Sequence, residues 1–542
     1  MSLKSLIFKT CPKTGKIRGI RTDKVWQKII FPIIGILSLI WVIVRVVPKP
    51  SRAVYPCQQA AIPFAAWFIT WITASAASVM FIKKAKTFFR RKQFIVAASM
   101  VLVSVGFYLA VQLINSNTAN ANVQIDPNVL QPMADKPNQP IGTAKGIFPG
   151  RVTWIRDIAA TPWDGTGNWW RDSTGINQGV VNKMISSSLK ALTGASSDKK
   201  AWQKIFQYYN KTHNRGNNNY NEAESVVIKI NLNNSTSQND SDNNADASKQ
   251  TILAVLDQLI NNAGVPQNKI TVIDAIRVIP DHIFNPCHDK YPGVIWVDKD
   301  GTNGRTKNVW FNDAFAYSVK NAGNTNIPVC IKNATYQVNL PVLKGHEYSG
   351  VTMSAKNNYG SIAARDHSKY LRVWQAEGPQ YSMLVDLMGT KELDGKSIIF
   401  IMDGLFANRT NTQDNNQDRC AFTNLFKGEW CASIFMSLDE VAFESVGLDF
   451  LVSEFGPVLG RRLKTDKINP VNNCDNYLHE AALANNPPSG TSYKPDGVNL
   501  TSLGVHEHWN NPVEKKYSRN LHTGNGIELY QIPAISKVKG KQ

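Results

Sequence analysis

No two cysteines of this chain stand three positions apart, so the C-x-x-C spacing used by iron–sulfur clusters and zinc ribbons is missing. Acidic residues are scarce at one end only. Residues 1–92 hold one of the 41 Asp and Glu, Asp23, against 17 of the 60 Lys and Arg. Beyond them, 43 basic and 40 acidic side chains nearly cancel. The net charge of +19 thus belongs to the N-terminal sixth. The large remainder has no basic stripe suited to a phosphate backbone, which excludes nucleic acid as the expected partner. There is no internal repeat either, which argues against a repeat architecture.

Charge is also missing from three apolar stretches: residues 29–44, 60–82 within an uncharged run from Arg52 to Lys83, and 94–114. A helix of ~20 apolar residues crosses the hydrocarbon core. These stretches are read as three transmembrane helices over 29–114, the first extended through Trp26 and Val46–Val47. Basic loops stay cytoplasmic. Eight positive charges in 1–28 and six in 83–92 outweigh three in 45–52. The N-terminus is therefore expected inside, and everything after Ile114 outside, in the periplasm or an equivalent extracytoplasmic space. Arg90 and Arg91 before an apolar run also resemble a twin-arginine export signal. An oxidising compartment permits disulfides, and Cys420 with Cys431 is the pair expected.

Residues 115–149 are polar and rich in Pro and Asn, a linker leading to one large domain over 150–542. There, strand-like runs at 150–159, 225–232, 269–276, 293–300, 327–343 and 396–406 are interspersed with helical spacing at 178–193, 200–210, 247–262, 311–322, 381–393 and 438–455. Asp246 or Ser248 is the N-cap of the third of these helices. Continuous apolar strands between helices predict an α/β fold, a mostly parallel sheet with helices on both faces. DSDNNAD at 240–246 lacks the glycine and closing glutamate of a calcium loop. Trp163, Trp169 and Trp170 follow the first strand and are read as core, with a contact face as the alternative.

Ligands of open α/β sheets bind beyond the carboxyl ends of the strands. Lys229 and Asn231, Asp274, Asp298, Lys344 and His346, and Asp403 all fall at such ends. The stretch NLPVLKGHEYSGVTMSAKNNYG (339–360) adds Thr352, Lys356, Asn357 and Gly360. Its lysines suit a carboxylate or phosphate, or a carbonyl if one loses its proton. His346 and His367 are candidate acid–base groups or metal ligands. In LGVHEHWNN (503–511), His506 and His508 would share one face of a strand, an arrangement that suits a metal.

VVIKINL, the 339–360 stretch, RDHSKYL around His367, IIFIMDGLFA and SLDEVAFESVG, in that order, resemble the DUF362 family. The resemblance implies functional positions at Lys229, Asn231, Lys344, His346, Thr352, Lys356, Asn357, Gly360, His367, Asp403, Ser437 and Asp439. YLHEAALANNPPSGTSY and SLGVHEHWNN resemble the C-terminal extension of its larger membrane-linked members, and VPKPSRAVYPCQQAA the segment after their first span. Relatives commonly read S-x-D-P-V-A where this chain has Glu440. Some members are described with ferredoxin-type clusters, which the cysteines here do not support. The expectation is a membrane-anchored, extracytoplasmic protein binding an anionic ligand, cofactor or metal at a Lys/His site. It would be a redox or metal-dependent enzyme, or else a noncatalytic scaffold subunit of an envelope complex.

Overall fold

The computed structural model describes residues 135–536 except 171–173, 233–234, 320–322, 364–378, 412–414 and 460–472. It adds short pieces of 8–20 and residues 40, 41, 44 and 80. The chain divides into two units, Met1–Gln124 and Ile125–Gln542. In the first, Phe8–Thr10 pairs antiparallel with Ile17–Ile20. Among the described residues no helix is long and apolar enough to cross a membrane. The three stretches read as spans lie almost wholly outside the described residues, as does His367.

The second unit is built on an eleven-stranded sheet. In chain order its strands are β1 (Arg151–Arg156), β2 (Val226–Ile230), β3 (Ile270–Ile273), β4 (Ile295–Asp298), β5 (Thr306–Lys307), β6 (Tyr336–Leu340), β7 (Val342–His346), β8 (Gly350–Thr352), β9 (Ser397–Asn408), β10 (Ser433–Ser437) and β11 (Glu528–Ile532). They lie side by side as β11-β1-β10-β9-β6-β2-β3-β4-β5, with β7 on the far half of β9 and β8 against β7. All pairings are parallel except those of β10 with its two neighbours and of β8 with β7. The mostly parallel α/β architecture expected from the sequence is therefore present.

Burial on both faces explains the unbroken apolar strands. Alternation sends Val226, Ile228 and Ile230 of β2 into one core. That core also holds Met184 and Leu189 of α1 (Gln178–Thr193), Trp202 and Phe206 of α2 (Asp198–Thr212), and Val255 of α3 (Lys249–Asp257). Val227, Phe400 and Phe435 face the other, with α6 (Met383–Gly389) and α7 (Glu440–Phe455). Between these helices in the chain come α4 (Asp281–Lys290) and the single turn α5 (Ser354–Asn357); α8 (Asn476–Ala482) follows them. Caps set the starts. Asn177, Ser197 and Ser248 accept from the N–H groups of Val180, Lys200 and Thr251, and Gly194 closes α1 in the left-handed region.

Three expectations are corrected. In the stretch read as a helix over 311–322, the described residues 311–319 are not helical: Trp310–Ala316 pairs antiparallel with Asn324–Pro328, as its dense aromatics favour a pleated ribbon. The extended run 327–343 is broken by a helical turn, Val329–Asn333, that starts directly after Pro328. Cys420 and Cys431 are free thiols, as are Cys287, Cys330 and Cys474. Trp163 and Trp169 are core, and Trp170 stacks on His282 with its indole N–H on Asp242 O. The 240–246 segment closes on itself through Asx turns, with Asp242 N–H on Asp240 and Asn244 N–H on Asp242. Ile141–Gly142, inside the stretch read as linker, already pairs with Val505–His506.

Candidate functional site

β2 ends in the middle of the sheet, where Lys229 points to the face opposite Ile228 and Ile230. Fully buried, its ammonium donates to Ile230 O (2.5 Å), Asn357 Oδ1 (3.0 Å) and Asp274 Oδ2 (3.2 Å). Asp274 is there because β2 and β3 run parallel with Lys229 opposite Ile273, one residue earlier. Asn357 returns the contact, donating to Lys229 O (3.0 Å) and Asn339 Oδ1 (2.8 Å). Gly360 lies flat on this pair; a Cβ there would stand 2.7 Å from Lys229 Nζ.

The second half of the site is a hairpin. Pro341 separates β6 from β7, and Asp403 N–H on Pro341 O (2.9 Å) keeps the chain alongside β9. On β7, Lys344 and His346 are two apart and share a face, and Thr352 of β8 lies opposite Lys344. Gly350 makes the turn at φ +78°. α5 follows at once and delivers Lys356 and Asn357. The result is a small cavity of about 100 Å³ lined by Asn231, Asp274, Arg277, Lys344, His346, Thr352, Lys356, Asn357 and Gly360, among others.

Its electrostatics are lopsided. Three cationic side chains, Arg277, Lys344 and Lys356, share the lining with one carboxylate, Asp274, which Lys229 already engages. Lys344 donates to Ala245 O at 2.6 Å. Half-buried Lys356 lies 3.9 Å from the Tyr359 ring centroid and makes no ion pair among the described residues. Burial and then the Lys344 charge pull Lys356 down to about 7. Burial draws Lys344 to about 8 against the opposing field of Asp246 and Asp274. Thr352 Oγ1, Arg277 Nε and Asn231 Oδ1 are buried without a hydrogen-bond partner. His346 Nδ1 accepts from the N–H groups of Tyr348 (3.0 Å) and Ser349 (3.4 Å), and burial holds the ring well below its ordinary pKa. The imidazole is therefore neutral with its proton on Nε2, which makes it a hydrogen-bond donor rather than a base.

Lys229, Asn231, Lys344, His346, Thr352, Lys356, Asn357 and Gly360, spread over 132 positions of the sequence, thus meet in one place. Asp403 and Asp439 do not join them. Asp403 accepts from Ser248 Oγ (2.6 Å) and N–H (2.9 Å) at the start of α3. Asp439 caps α7 through Ala442 N–H (3.0 Å) and accepts from Lys145 N–H (2.7 Å). Ser437 Oγ donates to Arg151 O, also away from the cavity. Asp298 accepts from Ile279, Asp300 and Gly301 N–H groups in the loops beyond β4. Arg277 is the residue that sequence reasoning missed; its signal was its place three positions after Asp274, beyond a strand end. His506 and His508 lie elsewhere, with ring centroids 4.8 Å apart and Glu507 turned away toward Ser518. His508 is unsuited to metal ligation, since both its nitrogens face carboxylates, Asp449 at 2.6 Å and Asp475 at 3.3 Å.

A larger cavity of about 420 Å³ opens beside the start of β9, lined by Lys145, Tyr208, His213, Asp394 and Glu440 among others. Burial, then the neighbouring Asp394 charge, holds the Glu440 carboxyl well above its ordinary pKa there. It lies at the wrong end of the strands for ligand binding in such a sheet and lacks the cluster of unmatched donors.

No curated protein matches the chain. Residues 226–449 match the family described as Domain of unknown function (DUF362), a stretch that contains every residue named here for the small cavity. The chain therefore carries a domain of the DUF362 family.

Proposed function

We propose that this domain binds the anionic group of a small ligand, a carboxylate or a phosphate, in the cavity between β7, α5 and the end of β3. One observation carries the reading: Lys356 Nζ, Arg277 Nε and Thr352 Oγ1 are donors beside one cavity with no hydrogen-bond acceptor among the described residues. Burying polar groups without partners costs free energy, and an anion would supply the missing acceptors. A cavity of about 100 Å³ admits such a head group but not a whole drug-sized molecule. The rest of the ligand would extend from its mouth. His346 Nε2–H is a further donor. A lysine near pKa 7 is partly neutral at physiological pH, so Lys356 can also give or take a proton from the bound group. Lys229 and Asn357 position it through the floor.

Sulfate is the simplest probe. Isothermal titration near neutral pH should give one saturable site in the wild-type protein. Lys356→Ala or Lys344→Ala should weaken it about 10–100-fold, the worth of one charge-assisted hydrogen bond. Equal affinity in wild type and both variants refutes the proposal.

The same proposal places the domain outside the cytoplasm, anchored by spans within 29–114. Support comes from the uncharged runs there and the basic loops at 1–28 and 83–92. Single-cysteine variants test it: a membrane-impermeant maleimide applied to intact cells should label Cys57 and not Cys11. Labelling of Cys11 alone reverses the topology.

A further inference from the structure

Outside the matched segment, the C-terminal extension holds a second cluster. Asp475 and His479 stand four apart at the start of α8, and His506 is on the short strand paired with Ile141–Gly142. Asp135 comes from the segment just ahead of that strand. One ligand atom from each of the four lies within 4.8 Å of all the others. An acidic and imidazole cluster alone is not a site, but two atoms here call for an occupant. His506 is 1% exposed, and its Nδ1 is held by Ser445 Oγ at 2.8 Å. Its Nε2 is buried with no hydrogen-bond partner. Asp475 is likewise 1% exposed; its Oδ2 faces His508, and its Oδ1 is buried without a partner.

We infer that Asp135, Asp475, His479 and His506 bind a first-row divalent transition-metal ion, Zn(II) being the best match. Two imidazoles disfavour Mg(II) and Ca(II), which take oxygen ligands. Two carboxylates neutralise a dication, and a two-nitrogen, two-oxygen set suits the four-coordinate preference of zinc. The surroundings have the form of an outer shell. Ser445 fixes the His506 ring so that Nε2 is the nitrogen left for the ion, and His508, itself held by Asp449, orients the Asp475 carboxylate. His479 Nε2 and Asp135 Oδ2 are 2.6 Å apart and share a proton, which an incoming ion would displace. The Asp135 side chain is 44% exposed, which provides the way in. The bound ion would tie the segment leading into the domain to its C-terminal extension. This makes it a structural staple, and the inference is independent of the anion cavity.

The test uses the full-length protein, stripped with chelator and dialysed against Zn(II). Elemental analysis should find about one zinc per chain, and the thermal midpoint should rise on zinc addition and fall again with chelator. His506→Ala and Asp475→Asn should lower zinc affinity at least about tenfold and abolish the midpoint shift. If either buried variant fails to fold, Asp135→Asn, at the exposed edge, must show the same loss with an unchanged far-UV spectrum. Wild-type protein that retains no zinc, or variants that retain it as well as wild type, overturns the inference.

Discussion

Lys229 has no contact with solvent, yet three acceptors hold its ammonium, one of them the carboxylate of Asp274. Removing one partner of a buried pair leaves an uncompensated charge and costs about 3–5 kcal/mol. Small intrusions matter as well, because the ammonium that would have to shift is held by three acceptors. Gly360→Ala would press a methyl group to within 2.7 Å of Lys229 Nζ and 3.2 Å of Asp274 Oδ1. The expected cost is about 1–3 kcal/mol of unfolding free energy, read by urea denaturation, together with weakened sulfate binding. A variant as stable and as competent as wild type would mean that the turn over Lys229 is loose. At the cavity itself, Lys344 and His346 have complementary tasks. The first carries charge, and the second, held neutral by burial and by two backbone N–H groups at Nδ1, offers only a donor.

Helix α7 begins with a capping carboxylate and a buried carboxyl side by side. Asp439 caps it, so Glu440 stands at its first position, where the backbone N–H has no helical acceptor and proline is readily accepted. The departure from the relatives' S-x-D-P-V-A pattern therefore leaves the cap intact. It does put a buried carboxyl beside Asp394. Burial, then Asp394 and Glu444, raise the Glu440 pKa well above its ordinary value. The unfolded chain releases this proton near 4.5 while the folded chain keeps it, so stability falls as pH rises through the interval between the two pKa values. Glu440→Gln cannot ionise. Its unfolding free energy should lose that decline, gaining on wild type by up to about 1.4 kcal/mol per pH unit above 4.5. Parallel profiles for the two proteins would mean that Glu440 is ionised in the fold. The elements themselves were largely legible, because strands buried on both faces must be continuous apolar runs, as in β2, β3 and β9. Residues 311–316 read as helix because Phe311 and Phe315, four apart, fit a helix as well as a twisted ribbon. Position at a strand end could not separate Lys344, which lines the cavity, from Asp403, which holds Ser248, the cap of α3; that depends on which helix starts nearby. Nor could it single out Arg277, whose place, three positions after Asp274, is one that many ordinary loop residues share.

At the scale of the molecule, charge is partitioned. The first 92 residues carry most of the basic excess, the remainder is nearly neutral, and within it three cationic side chains gather at one small cavity. Such a concentration is unfavourable without a ligand, and the lowered lysine pKa values express it. Between pH 7 and the ordinary lysine range, the folded chain has released protons that the unfolded chain keeps, so stability should rise with pH there. A bound dianion reverses the balance by drawing protons back onto Lys356 and Lys344. Sulfate does not titrate in this range, so every proton exchanged belongs to the protein. The most direct test is sulfate calorimetry at about pH 8 and pH 6 in buffers of different ionisation enthalpy. Uptake of about one proton per sulfate at the higher pH, disappearing at the lower, is the predicted result. Binding without proton uptake at the higher pH, or no binding at either, would contradict the account.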